Sequence, residues 1–353
     1  MLIIMPLSVL HAAQLHGHEG EHVKVIMKPK VSIVLPIYNV ERFLRQCLAS
    51  VTEQTLSEIE IVCVDDGSTD GSPSIIDEFA AQDTRIIAIH KENEGYGKAV
   101  NMGIAHATGQ YIGIVEPDDY IDQHMYETLF SAADHNAFPD IVKGAYWRVC
   151  NADTPNEQIL PANYLHAVKE VDKPFELASD AELLFHHPSI WSAIYRAGFL
   201  SDRGIKMPEI PGAGWADNPF LIETLISAKS IVFVDEPLYY YREFNVGSSS
   251  NVKDPSIIFN RWLDMDRIIK QHHVTSPRIL EGHYNRGCAY IEMLDEDFSS
   301  KDPTVKEGIS RMVKHIDYNA VFSSEKIPQH YKDAYQRHVP LATRLISKAK
   351  RLL

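Results

Sequence analysis

The sequence is poor in cysteine, in positive charge and in long apolar runs. Its four cysteines, Cys47, Cys63, Cys150 and Cys288, form no C-x-x-C pair. That argues against a disulfide framework and fits a reducing, cytoplasmic compartment. Cys63 sits inside the apolar run IVCV and reads as a buried thiol. Lys and Arg number 34 against 48 Asp and Glu, a formal net charge of -14. A nucleic-acid binder would usually be basic, so no nucleic-acid partner is expected. An anionic substrate would need a local cation, from a metal or from a few placed lysines and arginines. No G-x-x-x-x-G-K-[ST] occurs, and no G-x-G-x-x-G follows the first strand. The main support for a dinucleotide enzyme is therefore absent. No internal repeat is visible. The apolar start MLIIMPLSVLHA is too short to span a membrane, and no Lys or Arg precedes it. The segment HAAQLHGHEGEHVKV has no period. Its histidines could bind a metal, but a solvated tail is the plainer reading. Residues 1–26 are expected to be a disordered, dispensable leader, with ordered sequence from Met27.

What remains is ordinary globular composition: 353 residues, 45% hydrophobic and 23% charged, enough for one large domain or two of usual size. From residue 31 the pattern is regular. VSIVLPIY is a continuous apolar run, as in a strand buried on both faces. Asn39 is placed to cap the next helix, on which Phe43, Cys47, Leu48 and Val51 recur at helical spacing. EIEIVCVDD reads as a second strand, SPSIIDEFAAQD as a helix with Pro73 near its start, and RIIAIHK as a third strand. GKAVNMGIAHATG reads as a third helix with Gly109 as its C-cap, and YIGIVEPDDY as a fourth strand. Strands alternating with helices predict an α/β fold, a mostly parallel central sheet flanked by helices. After residue 125 the regularity weakens. DIVKGAYWRV and SIVFVDEPLYYYRE read as strands, GAGWADNPFLIETLISA as a helix, SIWSAIYRAGFL as either. From about Asp254 the chain reads as helical to its end. The last stretch, TRLISKAKRLL, could lie on an anionic membrane surface, though a solvated terminal helix is the plainer reading.

In such sheets ligands bind beyond the carboxyl ends of the strands. Those ends carry PIYN, DDGSTDGS, ENEGYGK and EPDD. Four polar strand ends on one edge predict that the acids Glu116, Asp118 and Asp119 face a ligand and not the core. Period two puts Glu116 and Asp118 on one side of an extended segment. A phosphate-bearing ligand would be repelled by these acids unless a divalent ion lay between; Mg²⁺ and Mn²⁺ often take one or two carboxylates plus substrate phosphates and water. A solvated acidic loop is the competing explanation.

The stretches VSIVLPIYNVERFLRQCLASVTEQT, EIEIVCVDDGSTDGS, KENEGYGKAVNMGIAHATGQYIGIVEPDDYI and GWADNPF occur in the order and at the spacing of a known family. The sequence resembles the family 2 glycosyltransferases, inverting nucleotide-sugar enzymes of the Rossmann-like GT-A fold. The likeness covers roughly residues 29–245, and is nearest to bacterial enzymes that build lipopolysaccharide and other surface glycans. It implies a glycosyltransferase domain over 27–250, with a nucleotide-sugar half near 29–125 and an acceptor half near 126–250. Residues 251–353 would form a helical C-terminal region.

The resemblance implies roles position by position. Pro36 and Tyr38 would line the nucleotide base. Asp66 would accept from the imide N–H of uracil, a carboxylate being an acceptor only; an Asx-type turn with Gly67 and Ser68 is compatible with that. Asn93 would touch the nucleotide. Glu116-Pro117-Asp118 stands at the family's D-x-D, with Asp118 the ligand of Mn²⁺ or Mg²⁺. Asp217 of GWADNPF would be the base that deprotonates the acceptor hydroxyl, the alternative being a helix N-cap. The implied partners are a UDP-sugar or other nucleotide-sugar donor and a glycan or lipid-linked acceptor. The implied place is the cytoplasm or the inner membrane face. Three positions depart from the family pattern. Val100 stands where Arg often precedes Asn101, leaving Lys98 to meet the diphosphate as a point charge rather than a fork. Glu116 replaces an Asp, and Ala216 replaces a Glu. These departures keep open a second reading, a catalytically weakened sugar-nucleotide binding protein. A phosphatase of the haloacid type would carry its acids at the first strand end, which here is PIYN.

Overall fold

The computed structural model describes residues 28–210, 214–243, 252–298 and 301–345; the leader assigned to 1–26 lies outside them. The chain opens β1 (Val31–Ile37), α1 (Glu41–Thr52), β2 (Ile59–Asp65), α2 (Ser72–Gln82), β3 (Ile86–His90), α3 (Tyr96–His106) and β4 (Tyr111–Ile114). β3, β2, β1 and β4 lie side by side, all parallel. Every residue of β1 and β2 is buried, because helices cover both faces. The two faces can be read off β2. Ile61 and Cys63 join the main core with Leu44, Leu48 and Val51 of α1. Val62 and Val64 pack instead with Ala99 of α3, as period two requires.

The second half completes the sheet differently. It runs β5 (Tyr120–Ile121), α4 (Met125–His135), β6 (Ile141–Cys150), β7 (Gln158–Pro161), β8 (Ala193–Arg196), α5 (Ala197–Arg203), α6 (Asp217–Ser227) and β9 (Ile231–Arg242). The strand order is β3-β2-β1-β4-β8-β6-β9-β5, with β7 beside β6. β8 is antiparallel to both β4 and β6, while β9 runs parallel to β6. The result is the expected α/β architecture, with a wholly parallel first half and a mixed second half.

Helices α7 (Pro255–Gln271), α8 (Pro277–Asp297), α9 (Pro303–Val313), α10 (Tyr318–Ser323) and α11 (Gln329–His338) follow. They build a second core around Trp262, Ile291, Leu294 and Met312. α7 packs on α6, and Trp215, just before α6, joins this second core. Among the described residues no helix is long and apolar enough to cross a membrane.

Two local expectations are corrected. Asn39 does not cap α1: it has a positive φ of 51° and its Oδ1 accepts from Thr69 N. The cap comes from the neighbouring loop, where Asp70 Oδ2 accepts from Glu41 N at 3.0 Å. Much of DDGSTDGS thus serves to tie the ends of β1 and β2 together, with Ser68 and Ser72 accepting from Asn39 N and Val40 N. Gly109 does not cap α3, which ends at His106 with Ala107 as cap. The Gly109 N–H instead donates to Ser32 Oγ and to the buried Glu60.

Candidate active site

The site lies beyond the carboxyl ends of β1, β2 and β4, where the loops before α1, α2 and α3 meet the turn after β4. Tyr38, leaving β1, is 49% exposed, unusual for a ring beside a buried strand. Pro36 is buried inside β1, opposite Val64. Asp65, not Asp66, makes the Asx turn, accepting from Ser68 N at 2.9 Å. Asp66 is buried and accepts from Lys91 Nζ (2.6 Å), Glu94 N (3.0 Å) and Gly95 N (2.8 Å). It therefore organises the 91–95 loop that leads into α3. Gly67, with φ +75°, lies so close that a Cβ there would stand 2.7 Å from Asn93 N. Asn93 is exposed on that loop. Lys98 is exposed and pairs with Glu94 at 2.9 Å.

The three acids after β4 do not share one fate. Asp119 is buried, and the expectation that it faces a ligand is overturned. It accepts from Tyr239 Oη (2.8 Å) and Arg242 N (2.7 Å), anchoring the turn to β9. Arg242 closes the same anchor: its Nη1 donates to the Asp118 carbonyl at 2.6 Å, its Nη2 donates to Gln46, and it sits over the Phe43 and Tyr120 rings. Glu116 accepts from Tyr96 Oη at 2.6 Å. Burial, with the Asp118 and Asp217 carboxylates nearby, pushes it up to about 8. Asp118 remains as a half-buried carboxylate at the sheet edge.

Asp217 is the first residue of α6; the N-cap is Ala216, so the capping alternative does not hold. Its carboxylate accepts from Asn218 Nδ2 at 3.1 Å. Burial pushes it above the usual carboxylate range, an effect opposed by the Arg286 guanidinium. Tyr96, Glu116, Tyr241 and Tyr290 all feel its charge. The segment before α6 is held on α3: Asn101 exchanges hydrogen bonds with Met207 and donates to Glu209. Pro208 O packs against Gly97, where any Cβ would lie only 2.1 Å away.

The fold thus brings Glu116, Asp118 and Asp217 together and sets Tyr38 and the 91–95 loop on the same edge. It does not bring Lys98 to these acids by any direct contact. Tyr96, Arg242, Asn218, Arg286 and Tyr290 carry contacts that the local sequence does not announce. The one local hint is Arg242, a charge closing the aromatic run YYYR.

Among the described residues no group of three or more His, Cys, Asp or Glu side chains converges to hold a metal. The donor set nonetheless suits one mode of binding. Asp119 is taken up by Tyr239 and Arg242, and Glu116 by Tyr96. A single carboxylate, Asp118, fits an ion that draws its remaining ligands from substrate phosphates and water.

The model of "Glycosyl transferase family 2" matches residues 32–196. The chain is 35% identical over 223 residues to the uncharacterized glycosyltransferase EpsJ of Bacillus subtilis, covering 62% of each chain. It is 33% identical to the glycosyltransferase GlyG of Streptococcus pneumoniae, over 61% of this chain and 71% of that one. The alignment with EpsJ thus spans less than two thirds of that relative. The crystal structure of S. aureus TarS 1–349 in complex with UDP-GlcNAc superposes with a TM-score of 0.71 at 18% identity, covering 92% of both chains. That likeness establishes the fold.

Proposed function

The chain belongs to the family 2 glycosyltransferases, and from that premise we propose that it is an inverting enzyme. It moves a sugar from a UDP-sugar to a hydroxyl of a glycan or lipid-linked acceptor in cell-surface polysaccharide assembly. The observation that carries this reading is that Glu116, at the carboxyl edge of a parallel sheet, feels the charge of both Asp118 and Asp217. TarS, which shares the fold, was crystallised with UDP and with UDP-GlcNAc, which favours a uridine donor here.

Each residue has a task that its surroundings suit. Tyr38 offers an exposed ring to the base. Asp66 shapes the 91–95 loop and would accept from the uracil imide, with Pro36 lining the base and Asn93 touching the nucleotide. Lys98 can leave Glu94, an exposed pair of small worth, to meet the diphosphate. Asp118 would hold Mn²⁺ or Mg²⁺ together with donor phosphates, and that ion would neutralise charge on the departing diphosphate. Asp217 takes the acceptor proton. The acceptor oxygen then bonds to the anomeric carbon, the bond to the diphosphate breaks, and its electron pair leaves with UDP. The acceptor half lies in residues 126–250, and the terminal segment 343–353, mostly outside the described residues, would make peripheral contact with an anionic membrane.

A donor panel tests the reading. Purified protein with Mn²⁺ and UDP-, GDP- or dTDP-sugars should release free nucleotide from a UDP-sugar, slowly to water and faster to an acceptor. Binding of UDP without release from any donor would point to the weakened binding protein instead.

A further inference from the structure

The buried guanidinium of Arg286, on α8, lies beyond the 32–196 segment that the family model matches. Among the described residues it has no carboxylate within ion-pair distance. It donates to three oxygens: Asn218 Oδ1 at 3.0 Å, Leu184 O at 3.2 Å and His186 O at 2.5 Å. A buried charge without a paired anion is costly, so the nearest site anion matters. Asp217, one residue from Asn218, is a site carboxylate on which Arg286 acts, favouring its ionised form. Tyr290, one turn along α8, donates to the same Asn218 Oδ1 at 2.7 Å. Two donors on Oδ1 fix which end of the Asn218 amide is oxygen. The other end must then be the N–H donor, and it faces Asp217 Oδ1 at 3.1 Å. Asn218, Arg286 and Tyr290 are all buried, at 4%, 8% and 7% exposure.

We propose that α8 completes the active site: Arg286 and Tyr290 lock the Asn218 amide, and Asn218 holds the Asp217 carboxylate in place to meet the acceptor hydroxyl. These are positioning residues, since each acts through Asp217. The inference rests on Asp217 as the base. It gives the C-terminal helices a part in catalysis, beyond covering the sheet. The charged and titratable groups around Asp217 are Glu116, Tyr96, Tyr241 and Tyr290 besides Arg286. Arg286 is the cation among them.

Two variants test it, read as UDP release from UDP-GlcNAc with Mn²⁺ and water as acceptor, over a range of pH. Asn218→Asp keeps an acceptor for Arg286 and Tyr290, so the fold is retained. It removes the N–H that faces Asp217 and adds a negative charge there. The acid limb of kcat should move up by about one pH unit or more, because a like charge raises a carboxylate's pKa. Arg286→Lys keeps the charge but loses the fork, and kcat should fall about 10- to 100-fold through misplacement of the base, with the acid limb little moved. UDP affinity should stay within about twofold in both, since the nucleotide contacts lie on other strand ends. An Asn218→Asp variant with wild-type melting temperature, kcat and acid limb overturns the proposal, whether or not Arg286→Lys folds. If Asp217→Asn itself keeps near-normal turnover, the base assignment fails first and this inference with it. Lost turnover in Asp217→Asn beside an unmoved Asn218→Asp overturns the relay alone.

Discussion

Asp217→Asn is expected to cost about 10²–10⁴-fold in turnover, the usual worth of a general base, and to leave UDP affinity near wild type. The amide has the shape of the carboxylate and can still accept from Asn218, so melting temperature should hold. Only the basicity is lost. The pH dependence follows from the same group. Burial raises the Asp217 pKa above the ordinary carboxylate value. The base form is therefore lost as pH falls through that raised value, and kcat should decline on the acid side earlier than a solvent-exposed Asp would dictate. The other candidate carboxylates are held by partners of their own. Asp119 is held by Tyr239 and Arg242, Glu209 by Asn101, and Glu223 by His272 of α7. Near-normal turnover in Asp217→Asn, measured as nucleotide release, would reopen that choice.

Asp118→Asn should abolish the metal dependence of donor binding along with activity. Wild-type protein is expected to bind UDP tightly only with Mn²⁺ or Mg²⁺ and to lose that affinity in EDTA. The loss should be at least about tenfold, since a carboxylate and a diphosphate of like charge then face each other without a cation between. In Asp118→Asn, affinity should no longer respond to metal and should lie at or above that of wild type in EDTA, because the repelling carboxylate is gone. The expectation is placed on Asp118 because it stands at the D-x-D position of the family resemblance. Glu116 is hydrogen-bonded to Tyr96, and Asp119 is buried. Calorimetry with equal UDP affinity with and without metal would remove the ion from the scheme.

The first half of the fold was legible because its physics is local. Strands buried on both faces read as unbroken apolar runs, and the helices between them have clear periods. The second half was less so. β8 reaches its place between β4 and β6 from far along the chain, and β5 has two residues. Neither leaves a periodic trace. The caps failed for a related reason: α1 takes its cap from Asp70, on another loop, so no residue just before the helix announces it.

The candidate site divides the same way. Asp118 stood out as a carboxylate beyond a buried strand, and Asp217 as an acid in an irregular segment. Asp119 stands beside Asp118 in sequence, and only the approach of β9 marks it as an anchor. Tyr96, Asn218, Arg286 and Tyr290 were invisible, because an Arg on an amphipathic helix gives no sign that its guanidinium is buried against another core.

The most direct measurement follows the sugar itself. Proton NMR of UDP-GlcNAc turnover with Mn²⁺, recorded before the free sugar mutarotates, reports the configuration of the first product. A single in-line displacement assisted by Asp217 requires the α-linked donor to give the β anomer first. The α anomer appearing first would contradict inverting transfer at this site.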